Sequence, residues 1–115
     1  MSIMSDVEKF KEVKELMIAQ KHSPEEIAQV EKAYKFAKKL HDGQFRVSGE
    51  PYIIHPCEVA RILANLKVDT HTLVAAYLHD ILEDTDTKPE TIENLFGTDV
   101  LNIVQGVTRL GKLQF

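Results

Sequence analysis

The sequence predicts an all-α protein, a helical bundle of five or six helices, and three observations support this prediction. Apolar residues recur at intervals of three and four along most of the chain, and N-terminal capping signals precede the periodic stretches. No stretch shows the sustained two-residue alternation of a half-buried strand. The 115 residues, 43% of them hydrophobic and 28% charged, suit one domain that spans residues 1–115.

Capping signals define the first two helices. Ser5–Glu8 and Ser23–Glu26 each place a serine three residues before a glutamate, the spacing of a capping box, and the second segment adds a proline in the first turn. The first helix is expected to end near Gln20. His41 lies on the continuation of the apolar stripe of the second helix, which favours a core residue or one stabilised by the helix dipole over a catalytic residue.

A long stretch without periodicity, residues 42–52, separates the second helix from the third. It contains Gly43 and Gly49, where the backbone can approach a ligand closely, together with Arg46 and Ser48. A guanidinium group offers a planar fork for phosphate and a flat face for a nucleobase. The stretch is therefore either a solvated connection or a ligand-binding loop, and the residues alone leave both alternatives open.

The third and fourth helices carry the other candidate site residues. The third is expected over Tyr52–Leu66, with His55 at its start. Its expected inward-facing residues are Ile54, Val59, Ile62, Leu63 and Leu66. His55 becomes significant only if it meets His79 in space. The fourth helix begins at Asp69 or Thr70 and is apolar on most sides, so we expect it to be central.

The C-terminal half of the fourth helix carries a cluster of side chains that can bind metal or move protons. In a continuous helix, His79 and Glu83 are four residues apart, as are Asp80 and Asp84, so all four project into adjoining sectors. Carboxylates crowded beside a histidine repel one another unless a cation neutralises them. A solvated acidic helix end is the alternative, but it explains poorly why His79 and Asp80 interrupt an apolar run. We therefore favour a divalent-metal site.

Two further helices complete the predicted bundle. Thr87 with Glu90 is expected to cap a short helix that ends at Gly97. Thr98 then starts a last helix. Its expected apolar face consists of Val100, Leu101, Val104 and Val107.

Charge and cysteine content bear on partners and location. The formal net charge is −4, which argues against a nucleic-acid partner, because such proteins usually gather an excess of Lys and Arg. The single cysteine, Cys57, cannot form an internal disulfide, which fits a reducing compartment. No apolar run approaches the roughly 20 residues that span a bilayer, and residues 1–6 lack the pattern of a signal peptide. We expect a cytoplasmic protein with no membrane partner.

An ordered set of short motifs runs from about Ala33 to the end of the chain. These motifs are His41–Gln44 (HDGQ), Arg46 with Ser48–Ile53 (SGEPYI), His55–Pro56, Leu78–Asp80 (LHD), Glu83–Thr85 (EDT), Leu95–Gly97 (LFG) and Gly106–Lys112 (GVTRLGK). The set resembles the HD superfamily of metal-dependent phosphohydrolases, and more closely the N-terminal hydrolase domain of RelA/SpoT-type alarmone enzymes. A histidine-aspartate pair alone is a weak signal, whereas the ordered set is highly specific.

The resemblance implies an activity and a set of roles. The implied activity is removal of the 3′-pyrophosphate from guanosine tetraphosphate or pentaphosphate, (p)ppGpp, in the stringent response, usually with manganese. The implied metal ligands are His55, His79 and Asp80. Glu83 and Asp84 match the family's acidic pair, which positions and deprotonates the attacking water. Arg46 matches the loop residue that packs on the guanine base, with Ser48 nearby.

Two departures from the family's pattern leave alternatives open. Val47 stands where the family commonly has a basic residue, so an HD phosphohydrolase acting on another nucleotide is one alternative. The family has a further aspartate ligand in a later motif, and this sequence ends at Phe115 before any such motif. We therefore expect a domain that is incomplete at its C-terminus: a fragment, a natural truncation, or a homo-oligomer that completes its site in trans. An inactive helical module that binds a nucleotide or a protein is the remaining alternative.

Overall fold

A computed structural model describes residues 4–113, with side chains described for residues 4–107, so most of the motif at 106–112 lies outside the described side chains. Seven helices follow one another: α1 (Asp6–Ala19), α2 (Pro24–Leu40), α3 (Ile54–Asn65), α4 (Thr70–Leu78), α5 (Ile81–Asp84), α6 (Pro89–Phe96) and α7 (Thr98–Leu113). Within this part of the chain, β pairing is limited to one isolated antiparallel bridge between Phe45 and Pro51. The predicted all-α helical bundle is confirmed. Over the same residues, no helix is long and apolar enough to cross a membrane.

Both predicted capping boxes begin their helices. Ser5 Oγ accepts a hydrogen bond from the Glu8 amide at 3.1 Å, while the Glu8 carboxylate accepts one from the Ser5 amide at 3.0 Å. Ser23 and Glu26 form the same pair of bonds, at 3.1 and 2.9 Å. At the other end of α2, His41 occupies the C-terminal cap and is buried, as predicted.

The first helix belongs to the same packed unit as the rest of the chain, because α1 packs against α3 and α2. Phe10 stacks on Tyr34 with ring centroids 4.6 Å apart, and Val13 and Met17 are buried. Burial of such side chains contributes roughly 1.5–3 kcal/mol each. Burial of apolar side chains is therefore a main reason that α1 stays packed against α2 and α3.

α4 is the central helix, as predicted. Every residue from Leu73 to Leu78 is buried, and the helix packs against α2, α3 and α7. A helix that is apolar on most sides must be covered on most sides. Polar groups that follow its last turn therefore lie at the edge of the core, where they are partly shielded from water.

The structure corrects the prediction of a fourth helix that continues through the acidic cluster. α4 ends at Leu78, His79 and Asp80 form a turn, and Ile81–Asp84 is a separate helix. The ring Nδ1 of His79 donates to the Ala76 carbonyl at 2.6 Å, which is the acceptor that the Asp80 amide would use in a continuous helix. Six predicted helices thus appear as seven, because the fourth is interrupted at the candidate site.

α3 buries only part of the predicted face. Val59 and Leu63 are half-buried and pack against the core, as predicted. Ile62 and Leu66, which we expected to face inward, are exposed, whereas Cys57, Ala60 and Ala64 are buried. Small side chains along one face let the backbone of α3 approach α1 and α4 closely. The small side chains of Cys57, Ala60 and Ala64 therefore occupy the most deeply buried positions of the helix.

The start of α6 also differs from the prediction. Lys88 holds the N-cap position without a side-chain cap, and Pro89 occupies the first turn, where its fixed φ suits a helix start. Instead of capping the helix, Thr87 donates its amide to Thr85 Oγ1 at 3.2 Å. Gly97 ends the helix as predicted, with a φ of 98° that favours glycine.

Candidate metal centre

The turn between α4 and α5 brings His79 and Asp80 to the first turn of α3, where His55 lies. Asp80 Oδ2 lies 3.1 Å from His79 Nε2 and 3.6 Å from His55 Nε2. One potential ligand atom from each side chain lies within 4.8 Å of the others, and all three residues are half-buried. The three metal ligands predicted from the sequence are therefore brought together in one cluster.

The hydrogen bond on the far side of the His79 ring determines which nitrogen faces this cluster. A backbone carbonyl only accepts, so Nδ1 carries the proton that is donated to Ala76. In the neutral ring, Nε2 then presents a lone pair to the Asp80 carboxylate oxygen, which is itself an acceptor. Two acceptors at 3.1 Å repel each other unless a proton or a cation lies between them. A carbonyl behind the ring is also the usual support of a metal-binding histidine.

The protonation preferences of the cluster follow from burial and from neighbouring charges. Burial would lower the pKa of His79, but its bonds to Asp80 and Ala76 outweigh burial and raise that pKa above its ordinary value. Burial also lowers the pKa of His55, and there it prevails over the attraction of Asp80. Burial would raise the pKa of Asp80, but the hydrogen bond with His79 holds it below its usual range. A charged carboxylate beside two imidazoles is a donor set that fits a divalent cation.

Tyr52 is a site residue that the sequence reasoning missed. Its hydroxyl donates to Asp80 Oδ2 at 3.0 Å, and burial, together with the carboxylates of Asp84 and Asp80, raises its pKa well above the ordinary value. This bond orients the carboxylate toward the two histidines. The sequence does carry one indication of this role, because Tyr52 stands only three residues before His55. A half-buried tyrosine hydroxyl also usually has a hydrogen-bond partner.

Asp84 on α5 lies beside the centre, and both Asp84 and Glu83 are exposed to solvent. The charge of Asp84 contributes to raising the pKa of both His79 and Tyr52, so this carboxylate lies close to both rings. Glu83 precedes it on the same helix and is not a member of the three-residue cluster. The short helix therefore presents one carboxylate, that of Asp84, to the solvent side of the centre.

The segment Gln44–Tyr52 forms a compact turn next to the centre. The Arg46 amide donates to the Glu50 carbonyl at 2.9 Å, and the Gly49 amide donates to the Arg46 carbonyl at 2.8 Å. A groove of about 660 Å³ opens along this turn. It is lined by Phe45, Arg46, Val47, Ser48, Glu50 and Tyr52.

Tyr52 joins this groove to the candidate metal centre, because its ring lines the groove while its hydroxyl binds Asp80. Arg46 and Ser48 are exposed, and the charge of Arg46 contributes to lowering the pKa of His55. The predicted loop residues and the predicted metal ligands therefore lie next to one another.

The fold and the site together define a class: a helical domain with a candidate divalent-metal site at the interrupted end of its central helix. The chain belongs to the HD domain family, whose family model matches residues 33–115. HD hydrolases depend on divalent metal, and the cluster of His55, His79 and Asp80 gives this chain a suitable donor set.

Relatives of this chain carry names that specify a substrate. It is 50% identical over 94 residues to the guanosine-3′,5′-bis(diphosphate) 3′-pyrophosphohydrolase of Aquifex aeolicus, across 82% of this chain and 14% of that protein. It is 48% identical over 99 residues to the bifunctional (p)ppGpp synthase/hydrolase SpoT of Escherichia coli, across 85% of this chain and 14% of that protein. The chain thus spans about one seventh of the length of these relatives.

A solved structure supports the same grouping. A metazoan ortholog of SpoT, which hydrolyses ppGpp, superposes with a TM-score of 0.65 at 37% sequence identity. The match covers 70% of this chain and 47% of that one. Fold and sequence therefore point to the same relatives.

Proposed function

We propose that this chain is a metal-dependent (p)ppGpp pyrophosphohydrolase domain that releases pyrophosphate from the 3′ position of the nucleotide. One observation carries the proposal: Tyr52 lines the groove along the Gln44–Tyr52 turn and also binds Asp80, so it connects this groove to the His-His-Asp cluster. The 50% identity over 94 residues to a protein named for this activity supports the choice of substrate.

The proposed metal ligands are His55, His79 and Asp80, and the proposed ion is manganese, which accepts both imidazole and carboxylate ligands. When bound, such an ion supplies Lewis-acid activation of water and neutralises phosphate charge. The protein's own part is orientation. The Tyr52 hydroxyl holds Asp80, and the Ala76 carbonyl holds the ring of His79 so that Nε2 faces inward.

Glu83 and Asp84 are proposed to position and deprotonate the attacking water. Both carboxylates are exposed, as a group that exchanges protons with solvent must be at some stage of the reaction. Asp84 is the better placed of the two, because its charge acts on His79 and Tyr52. The Glu83→Ala and Asp84→Ala variants should both lower kcat, with the larger loss for Asp84→Ala.

Arg46 and Ser48 are proposed to bind the nucleotide. The Arg46 guanidinium lies 4.0 Å from Glu50 in a loose, half-exposed pair, so its flat face is free to pack on a guanine ring. Ser48 lies two residues further along the same groove and offers a hydroxyl to a phosphate or ribose oxygen.

The test is pyrophosphate release from ppGpp by the purified chain with added manganese. We expect release that stops on addition of a chelator and in the His79→Ala variant. His71→Ala is the matched control, because His71 lies on α4 but outside the cluster. A wild-type chain that binds manganese yet releases no pyrophosphate would contradict the proposed activity.

One observation favours a second candidate, an HD phosphohydrolase of a different nucleotide. Val47 lines the groove next to Arg46 and is fully exposed, so it offers neither charge nor a hydrogen bond to a phosphate. A panel of guanine and adenine nucleotides in the same assay distinguishes the candidates. Turnover of another nucleotide in preference to ppGpp would favour the second.

A further inference from the structure

The side chain of Gln44 links two parts of the molecule that are far apart in sequence. Its Oε1 lies 2.9 Å from the ring Nδ1 of His41, and its Nε2 donates to the main-chain carbonyl of Asp84 at 3.0 Å. His41 caps α2, and Asp84 ends α5. One amide group therefore connects the end of a long helix to the end of the shortest helix among residues 4–113.

The chemistry of the two partners determines how this amide is oriented. The Asp84 carbonyl only accepts, so the NH₂ group of Gln44 must face it. The amide oxygen then faces His41, whose Nδ1 must be the donor. His41 is only 2% exposed, and its ring lies 4.7 Å from that of Tyr52, centroid to centroid. The histidine is thus a fixed support, and the glutamine amide is held by it.

The end of α5 needs such a support. The helix has four residues, of which Ile81 is buried, and Asp84 and Glu83 are exposed. A single turn is not stable on its own, because its few hydrogen bonds do not offset the loss of backbone freedom. Apart from the local bonds of the turn, the Asp84 main chain is tied to the rest of the fold by Gln44.

We infer that Gln44 is a positioning residue, which fixes the end of α5 and thereby places the Asp84 carboxylate for its work on water. The inference deepens and rests on the proposed function. Gln44 acts through its NH₂ group on a main-chain carbonyl and does not touch the three proposed metal ligands. The two ends of the Gln44–Tyr52 segment stay joined without this side chain, because the Tyr52 amide donates to the Gln44 main-chain carbonyl at 2.9 Å.

Three variants test the inference. Gln44→Leu removes both hydrogen bonds, and Gln44→Glu keeps the shape and the acceptor for His41 but loses the donor to Asp84. Gln20→Leu is the matched control, because Gln20 likewise donates to a main-chain carbonyl, that of Ala64 at 2.8 Å, away from the centre.

With ppGpp and manganese, we expect kcat to fall about tenfold in both Gln44 variants, which is about 1.4 kcal/mol. KM and the manganese Kd, measured by titration calorimetry, should stay within about twofold of wild type, since neither the joined ends of the Gln44–Tyr52 segment nor the ligands change. The Gln20→Leu variant should keep all three values. Wild-type kcat in Gln44→Glu would overturn the inference, as would a parallel loss of manganese affinity.

Amide hydrogen exchange provides a readout that does not depend on activity. The amides of Asp84 and Thr85 bond within the turn, to Asp80 at 2.9 Å and to Ile81 at 3.1 Å. We expect both to exchange about tenfold faster in the Gln44 variants, the equivalent of one lost hydrogen bond, and at the wild-type rate in Gln20→Leu. Unchanged exchange would overturn the inference even in an inactive chain, whereas an inactive wild type with the expected exchange would contradict only the proposed function.

Discussion

Two clusters of titratable side chains meet α3 one turn apart, at Glu58 and at His55, and they balance their charges differently. In the first, Glu58 accepts from Lys9 at 2.7 Å and from Arg61 at 2.8 Å. Arg61 also lies 3.4 Å from Glu12. Two cations thus meet two carboxylates in a network that is neutral by itself.

The second cluster is not balanced in this way. Asp80 faces the Nε2 atoms of His79 and His55, and the only proton committed to the His79 ring is donated away, to Ala76. With a neutral His79 ring, its Nε2 and the Asp80 carboxylate are both acceptors, while the Tyr52 hydroxyl donates to that carboxylate. A charge cluster that contains its own counterions is complete, whereas two facing acceptors require a proton or a cation between them. This distinction separates a structural ion-pair network from a metal site when spacing in the sequence cannot.

The largest expected effect on manganese affinity comes from removing the carboxylate charge of the cluster of His55, His79 and Asp80. Asp80→Asn keeps the shape of the side chain and the acceptor for Tyr52 but loses the carboxylate charge. Outer partners of metal ligands already affect affinity by about 10- to 100-fold, so we expect manganese affinity to fall by more than about 100-fold, measured by titration calorimetry.

The matched control for Asp80→Asn comes from the balanced cluster, which consists of Lys9, Glu12, Glu58 and Arg61. Glu58→Gln makes the same change of charge on α3 and should leave manganese affinity unchanged. If both variants bound manganese as tightly as wild type, the assignment of Asp80 as a ligand would be wrong.

Manganese should also stabilise the fold by binding at the cluster that contains Asp80 and not at the cluster that contains Glu58. A ligand at 100 times its Kd stabilises the folded state by about 2.7 kcal/mol. For a domain of this size, that corresponds to a rise in Tm of roughly 10 °C. Differential scanning calorimetry with and without manganese measures the rise, which should persist in Glu58→Gln and disappear in Asp80→Asn. An equal rise in both variants would indicate that manganese binds elsewhere.

Much of the fold could be predicted because the signals are local: the two capping boxes and the apolar run of α4 are readable within one or two turns of helix. The candidate ligands His55, His79 and Asp80 are predicted as a set through the resemblance of the ordered motifs to a known family. The structure brings these three together as expected.

What could not be predicted depends on contacts between distant segments or on side-chain size. The interruption of α4 reflects a bond from the His79 ring to a carbonyl, and the buried face of α3 reflects the small residues Cys57 and Ala60. Tyr52 binds Asp80, 28 positions away, and Gln44 binds the main chain of Asp84, 40 positions away. Hydrophobic periodicity along the sequence gives no information about such contacts.

A smaller effect is expected from loosening the support of Asp80. Tyr52→Phe removes the hydroxyl that donates to Asp80 Oδ2 at 3.0 Å. We expect manganese affinity to fall about tenfold, the lower end of the effect of such supporting groups. Tyr77→Phe is the control, since the Tyr77 hydroxyl is buried without a hydrogen-bond partner among the described residues. Equal affinities in the two variants would show that the Tyr52 hydroxyl does not support the centre.

The smallest expected effect belongs to the balanced cluster and depends on pH. Hydrogen bonds from Arg61 and Lys9 lower the pKa of Glu58 from 4.5 to about 2. A lowered folded-state pKa stabilises the fold above the unfolded value, and this contribution is lost as pH falls from about 4.5 to about 2. Because Glu58 is about one-third exposed, we expect less than about 1 kcal/mol. Urea unfolding of wild type and Glu58→Gln should therefore differ at pH 7 and converge near pH 2. A full difference that persisted at pH 2 would show that Glu58 acts through packing, since most of the contribution of its charge to stability is lost there.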